Sequence, residues 1–198
     1  MNPHFIFNAL NSVNNFIAKN DEKAANKFLA DFSRLMRKVL DHSQKDFISF
    51  DEEIELNELY LRLEHFRFRD KFDYSFKNDL AEKGLDLEVP PMLIQPFIEN
   101  AVWHGLRYKE GKGQLDVRIS AENGIHTVTI QDNGIGRSKS QALKTVNQKI
   151  YKSTGLENIE RRVALINQLY QKNYAIEVTD LDPGAEETGT LVKIRIKV

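Results

Sequence analysis

Thr127-Val128-Thr129-Ile130-Gln131-Asp132-Asn133-Gly134-Ile135-Gly136 is an alternating strand that runs straight into an acid and two glycines. Apolar and polar residues exchange at every step through Ile130, the period of a strand with one buried face. Upstream lies a second alternating run, Leu115-Asp116-Val117-Arg118-Ile119, and Asn123-Gly124 falls between the two. Asn-Gly supplies the positive φ angles of a tight hairpin turn, so the two runs are expected to pair antiparallel. Working outward, Phe72-Asp73-Tyr74-Ser75-Phe76 reads as a strand, as do 174–179 and 190–198 on either side of Asp182-Pro183-Gly184. Between them, 90–106 reads as an apolar helix opened by Pro90-Pro91, with Pro96 making its first turn irregular or kinked. Residues 133–154 are polar and weakly patterned and read as a mobile loop, after which a helix is expected from Gly155 to Tyr170.

The N-terminal third is helical in pattern. Phe5, Ala9, Ser12, Val13, Phe16 and Ile17 fall at helical spacing, and Pro3 suits a first turn. Asn20-Asp21-Glu22 ends that helix and starts a second, striped by Ala25, Phe28, Leu29, Phe32, Leu35, Met36 and Val39. Ser49-Phe50-Asp51-Glu52 is a capping box before a third helix. Met1-Asn2-Pro3-His4 enters the first helix with no lead-in, as a piece cut from a longer protein would. The chain divides as 1–69, helical, and 70–198, a mixed sheet backed by helices: an α+β arrangement.

The 198 residues are 41% apolar and 29% charged, ordinary for a soluble globular chain able to bury its own core. There is no cysteine, which excludes thiol catalysis, disulfides and thiolate zinc sites. A formal net charge of -1 gives no nucleic-acid surface. No apolar run approaches bilayer length.

Three segments carry chemistry. In Glu99-Asn100-Ala101-Val102-Trp103-His104-Gly105, helical spacing gathers Glu99, Asn100, Trp103 and His104 on one side. An amide oxygen there is a suitable hard ligand for Mg²⁺, which keeps waters and bridges substrate phosphates; an ordinary helix C-terminus ending at glycine would look the same. In Asp132-Asn133-Gly134-Ile135-Gly136 the acid can accept from an amino group and the glycines let backbone approach a ligand, although Asp-Asn-Gly also makes plain turns. Ser153-Thr154-Gly155-Leu156-Glu157-Asn158 leads into a helix N-terminus that offers amides to an anion, and Arg161 and Arg162 add charge there or simply face solvent. Neither a Walker A loop nor a dinucleotide fingerprint is present.

Taken in order, these segments resemble the GHKL ATPase superfamily: Asn100 its N box, Asp132-x-Gly134-x-Gly136 its first glycine box, Thr154-Gly155-Leu156 its second, and Gly189-Thr190 its late threonine near adenine. Asn2-Pro3-His4-Phe5-Ile6-Phe7-Asn8-Ala9-Leu10-Asn11 resembles the phosphoacceptor segment of LytS/YesM-type sensor histidine kinases, which also carry Glu-Asn-Ala-x-x-His-Gly. Position 103 is Trp where that subfamily often has lysine. The resemblance implies a Bergerat-type α/β sandwich after a helical phosphoacceptor and dimerisation region. It implies Mg-ATP as cofactor, His4 as nucleophile and Glu99 as the group that accepts or orients its proton. Asn100 would ligate Mg²⁺ and His104 would sit on the phosphate side. Asp132 would hold the adenine amino group, and Gly134, Gly136, Thr154, Gly155, Leu156, Asn158 and Thr190 would line the nucleotide. A lid over 137–154, a response regulator as partner, a homodimer in the full-length protein and the cytoplasmic portion of an inner-membrane protein complete the expectation. Two rivals are a nucleotide-binding module without chemistry (a pseudokinase), and a hydrolase of the chaperone or mismatch-repair branch, against which the Asn-Pro-His segment speaks.

Overall fold

The computed structural model describes residues 3–68, 70–80, 87–143 and 146–197, with the side chains of 3–5 and 146–157 outside that description. Its elements run α1 (Pro3–Ala18), α2 (Glu22–His42), β1 (Ile48–Ser49), α3 (Phe50–Arg67), β2 (Phe72–Asn78), β3 (Glu88–Val89), α4 (Gln95–Asn100), β4 (Gly113–Glu122), β5 (Ile125–Asp132), α5 (Gly136–Ala142), α6 (Val146–Tyr170), β6 (Asn173–Asp180) and β7 (Thr190–Lys197). The fold is α+β, three helices and then a mixed sheet backed by helices.

Five strands form the main sheet in the order β2-β4-β5-β7-β6. β2 and β4 are parallel, and every other pair is antiparallel. The β4–β5 hairpin turns where expected, with Asn123 at φ 50° and Gly124 at φ 74°, the doubly positive geometry that matches strand twist. Leu115, Val117, Ile119, Val128, Ile130, Ile194 and Ile196 fill one face of the sheet, each almost wholly buried. Strict alternation leaves the opposite face polar, so one face alone receives the helices.

Local chemistry explains the helix ends. Asp21 accepts from the Ala24 amide at 3.0 Å, relieving one of the orphan donors at the start of α2. At α3 the capping box is complete: Ser49 Oγ accepts from the Glu52 amide at 3.2 Å, and Glu52 accepts from the Ser49 amide at 3.0 Å. α1 and α2 form a hairpin whose Phe16 and Phe28 meet Phe66 of α3, with ring centroids 5.0 to 6.0 Å apart. α3 is continuous with the main core, burying Leu56, Leu59, Tyr60, Leu61 and Leu63.

Two expectations are corrected. The apolar segment 90–106 is helical only from Gln95, because Pro90-Pro91 and a left-handed Met92 at φ 59° form a non-helical entry. Pro96 sits in the first turn of α4, where its missing N–H costs nothing. Beyond Asn100 the helix widens into a π-turn over Ala101–Gly105 and then tightens to a 3-10 turn over Leu106–Tyr108. The second correction concerns 133–154, read as a mobile loop. It contains α5 and the start of α6, so Gly155 lies inside a helix and not at its N-terminus. Gln, Lys and Ala are good helix formers without any apolar period, so propensity made a helix where pattern was silent.

Candidate functional site

The acid and glycines that close β5 meet the end of the α4 segment backbone to backbone. Asp132, 3% exposed, accepts from the Gly134 amide through Oδ1 at 2.9 Å. The Ile135 amide donates to the Gly105 carbonyl at 3.3 Å. A Cβ on Gly105 would lie 2.8 Å from Asp132 Oδ1, and one on Gly134 only 2.5 Å from the Gly105 carbonyl carbon. No side chain fits between these segments, which is why both positions are glycine. The segments 99–105 and 132–136, far apart in sequence, are thereby one surface.

The start of β7 completes it. Asp132 pairs in register with Thr190, whose side chain hydrogen-bonds the carboxyl. Gly189 at φ 59° donates to the Gly134 carbonyl at 3.1 Å, and a Cβ there would lie 2.4 Å from the Asp132 carbonyl oxygen. Gly136, at φ 77°, faces Thr188 so closely that an added Cβ would lie 1.8 Å from its Oγ1. Burial pushes the Asp132 carboxyl up to about 6, opposed by the Gly134 amide, Thr190 and the charge of Lys109. At neutral pH it is therefore an ionised, desolvated acceptor flanked by bare backbone.

Glu99 and Asn100 are half-buried at the C-terminal end of α4, and His104 is half-buried on the π-turn. Asn158 is exposed on α6. The side chains of His4, Thr154, Gly155 and Leu156 lie outside the described residues. Arg162 is not free for phosphate: its Nη1 donates to the Pro91 carbonyl at 2.8 Å. Among the described residues no group of three or more His, Asp or Glu could hold a metal ion. A cation beside Asn100 would have to take its remaining ligands from a substrate and water, the usual habit of Mg²⁺.

Sequence reasoning missed Glu53. It is wholly buried on α3, and its two carboxylate oxygens accept from the amides of Met92 at 3.0 Å and Ile94 at 2.9 Å. Asn57 adds a third donor at 3.1 Å. Burial raises its pKa while those donors and Arg162 lower it. Glu53 thus fixes the turn from which α4 sets out. In sequence it was hidden in Asp51-Glu52-Glu53, a run that reads as acids on a helix dipole.

A buried acid among glycines thus ends a mixed sheet and meets a polar helix end, in a chain that opens with a helical hairpin. Residues 1–72 match the family model described as histidine kinase. The chain is 31% identical to the sensor protein LytS of Staphylococcus haemolyticus over 82% of its own length and 28% of that protein. Against LytS of Enterococcus faecalis it is 31% identical over 93% of itself and 31% of that protein. The sensor histidine kinase/phosphatase LytS of Staphylococcus aureus is 30% identical over the same shares of each chain. The chain therefore spans about a third of the length of these relatives. Among solved structures, a mycobacterial sensor histidine kinase, MprB, is similar with a TM-score of 0.48 and 18% identity, over 76% of this chain and 95% of that one. The nucleotide-free catalytic domain of the histidine kinase ThkA is similar with a TM-score of 0.46 and 18% identity, over 77% and 97%. Along most of its length the chain is similar to LytS-type sensor histidine kinases, and its first 72 residues match the histidine kinase family.

Proposed function

We propose that this chain is the catalytic end of a sensor histidine kinase that autophosphorylates His4 with Mg-ATP and passes the phosphoryl group to an aspartate of a response regulator. Residues 1–69 would carry the phosphoacceptor and dimerisation helices and 70–198 the nucleotide. The observation that carries this reading is Asp132, a buried carboxylate walled by Gly105, Gly134 and Gly189 and bonded to Thr190.

The proposed occupant beside Asp132 is an adenine. The Asp132 carboxylate accepts from an exocyclic amino group, and the glycine backbones let a flat base lie against them. Asn100 would offer an amide oxygen to the cation, and His104, on the π-turn that follows, would serve the phosphate side. Mg-ATP supplies the γ-phosphoryl group and the charge that neutralises it. Glu99 takes or orients the imidazole proton of His4 as the new N–P bond forms and the bond to the leaving diphosphate breaks. His4 is available as a nucleophile because a neutral imidazole predominates at physiological pH. Gly136 begins the segment that would close over the nucleotide, and Thr154, Gly155, Leu156 and Asn158 would follow along it.

Radiolabelled ATP tests the reading directly. Acid-labile, base-stable label is expected in the native chain and none in His4→Gln. Binding of an ATP analogue without any label would instead favour the nucleotide-gated module. Titration with Mg²⁺ should separate Asp132→Asn, which loses the base, from Asn100→Ala, which loses metal dependence. The assembly would be a dimer whose interface uses Phe7, Leu10 and Ile17 of α1, exposed by 66%, 51% and 58% in the single chain. A sedimentation profile that stays monomeric at all concentrations would remove that part.

A further inference from the structure

β6 is an edge strand, with β7 on one side and no described strand on the other. Its register with β7 runs from Asn173 opposite Lys197 to Asp180 opposite Thr190. In an antiparallel pair, alternate residues turn both backbone groups to the partner and the residues between turn theirs away. Tyr174 is turned away: its amide donates to Asn167 Oδ1 at 2.9 Å and its carbonyl accepts from Asn167 Nδ2 at 2.8 Å. Ile176 and Val178 follow at the same period and so face outward too. The Val178 carbonyl accepts from Arg137 Nη1 at 3.4 Å, while Arg137 Nε donates to Asp180 at 2.8 Å. Among the described residues nothing bonds the outward amide or carbonyl of Ile176.

An open strand edge is a template for another strand. Tyr174-Ala175-Ile176-Glu177-Val178-Thr179 is a strong one, rich in β-branched and aromatic residues, with one charge and neither Pro nor Gly. An antiparallel partner of the same sequence, centred on Ile176, sets Ile176 against itself and Tyr174 against Val178. That arrangement is two-fold symmetric, so each bond one copy donates it also receives. Asn167 and Arg137 stand on the two rungs that flank this centre. The Asn167 amide brings the donor and acceptor of a peptide group, so Tyr174 is satisfied as though a neighbouring strand were present. Only the Ile176 rung is left, too little to offset the freedom lost in association.

We propose that the β6 edge is a strand-pairing surface for a second copy of this chain, centred on Ile176, and that Asn167 and Arg137 keep it shut. Association is thereby left to the exposed apolar side chains of α1. The inference does not depend on the kinase reading.

Amide exchange and sedimentation test it together. In the native chain, after correction for sequence, the Tyr174 amide should exchange at least about 10-fold more slowly than that of Ile176, although both point away from β7. Equal exchange at the two overturns the proposal. Asn167→Ala with Arg137→Ala should add a self-association step absent from the native sedimentation profile, with the Ile176 amide slowing as concentration rises. Adding Ile176→Pro should abolish that step, because the N–H it removes bonds nothing in the β7 ladder and proline is tolerated on an outward edge. Association that survives Ile176→Pro comes from another surface or from unfolding, and it overturns the proposal. So does a folded double variant that sediments like the native chain. Should the double variant not fold, the exchange ratio in the native chain decides alone.

Discussion

Asp132 is held in the fold at a pKa of about 6 against an ordinary 3.8, chiefly by burial. The folded value is the higher one, so the native state grips the proton more tightly. Stability from this group is complete below about pH 3.8 and is lost as pH rises through about 6. Above that, the ionised buried carboxylate costs about 3 kcal/mol. Asp132→Asn should therefore melt at or above the native temperature at pH 7.5, the advantage vanishing towards pH 4, while adenine binding is lost. A variant that melts well below native at pH 7.5 would contradict the burial argument. Binding by the native chain should weaken as pH falls below about 6, because the acceptor is then protonated. Gly134 belongs to the same surface: Gly134→Ala would drive a Cβ to 2.5 Å from backbone. It should destabilise by about 2 kcal/mol or more, read by urea unfolding, and separate the 99–105 segment from Asp132. The Asp and the glycines were legible one by one in the sequence. That Gly105 belongs with them was not, because a glycine after a polar helix reads equally well as a cap.

At the scale of elements, α4 is aimed by Glu53 from α3 and by Arg162 from α6, which grip consecutive stretches of its entry turn. Glu53→Ala leaves the Met92 and Ile94 amides without acceptors and should cost about 3 kcal/mol. It should also weaken Mg-dependent nucleotide binding more than metal-free binding, because Asn100 is what moves. Equal loss of both, measured by calorimetry with and without Mg²⁺, would show that α4 is not aimed by this contact. Element reading from sequence went well where period or cap chemistry was explicit, as in the Ser49 capping box and the Asn123-Gly124 hairpin. It failed in 133–154, where straight-chain polar residues make helix without an apolar stripe. It also failed at β1 and β3, two-residue strands too short to carry any period.

Over the whole molecule, the α1–α2 hairpin docks on α3 through the Phe16, Phe28 and Phe66 cluster and through Asp31–Arg62, Lys38–Glu55 and Arg34–Glu55. The charged contacts are exposed enough to be worth little, whereas Phe28 is 4% exposed. Phe28→Ala should cost about 3 to 5 kcal/mol and Glu55→Gln less than about 1, both by urea unfolding. Comparable losses would mean that the ion pairs, not the aromatic cluster, hold the hairpin. The sequence by itself determined the helices with explicit stripes, the hairpin, the α+β class and the residue types at the site, because period, cap and turn chemistry are local. Only the tertiary structure decided that Gly105 touches Gly134, that Glu53 aims α4 and that Arg162 is already engaged. Those facts are contacts between residues distant along the chain, and no local preference of the backbone encodes them.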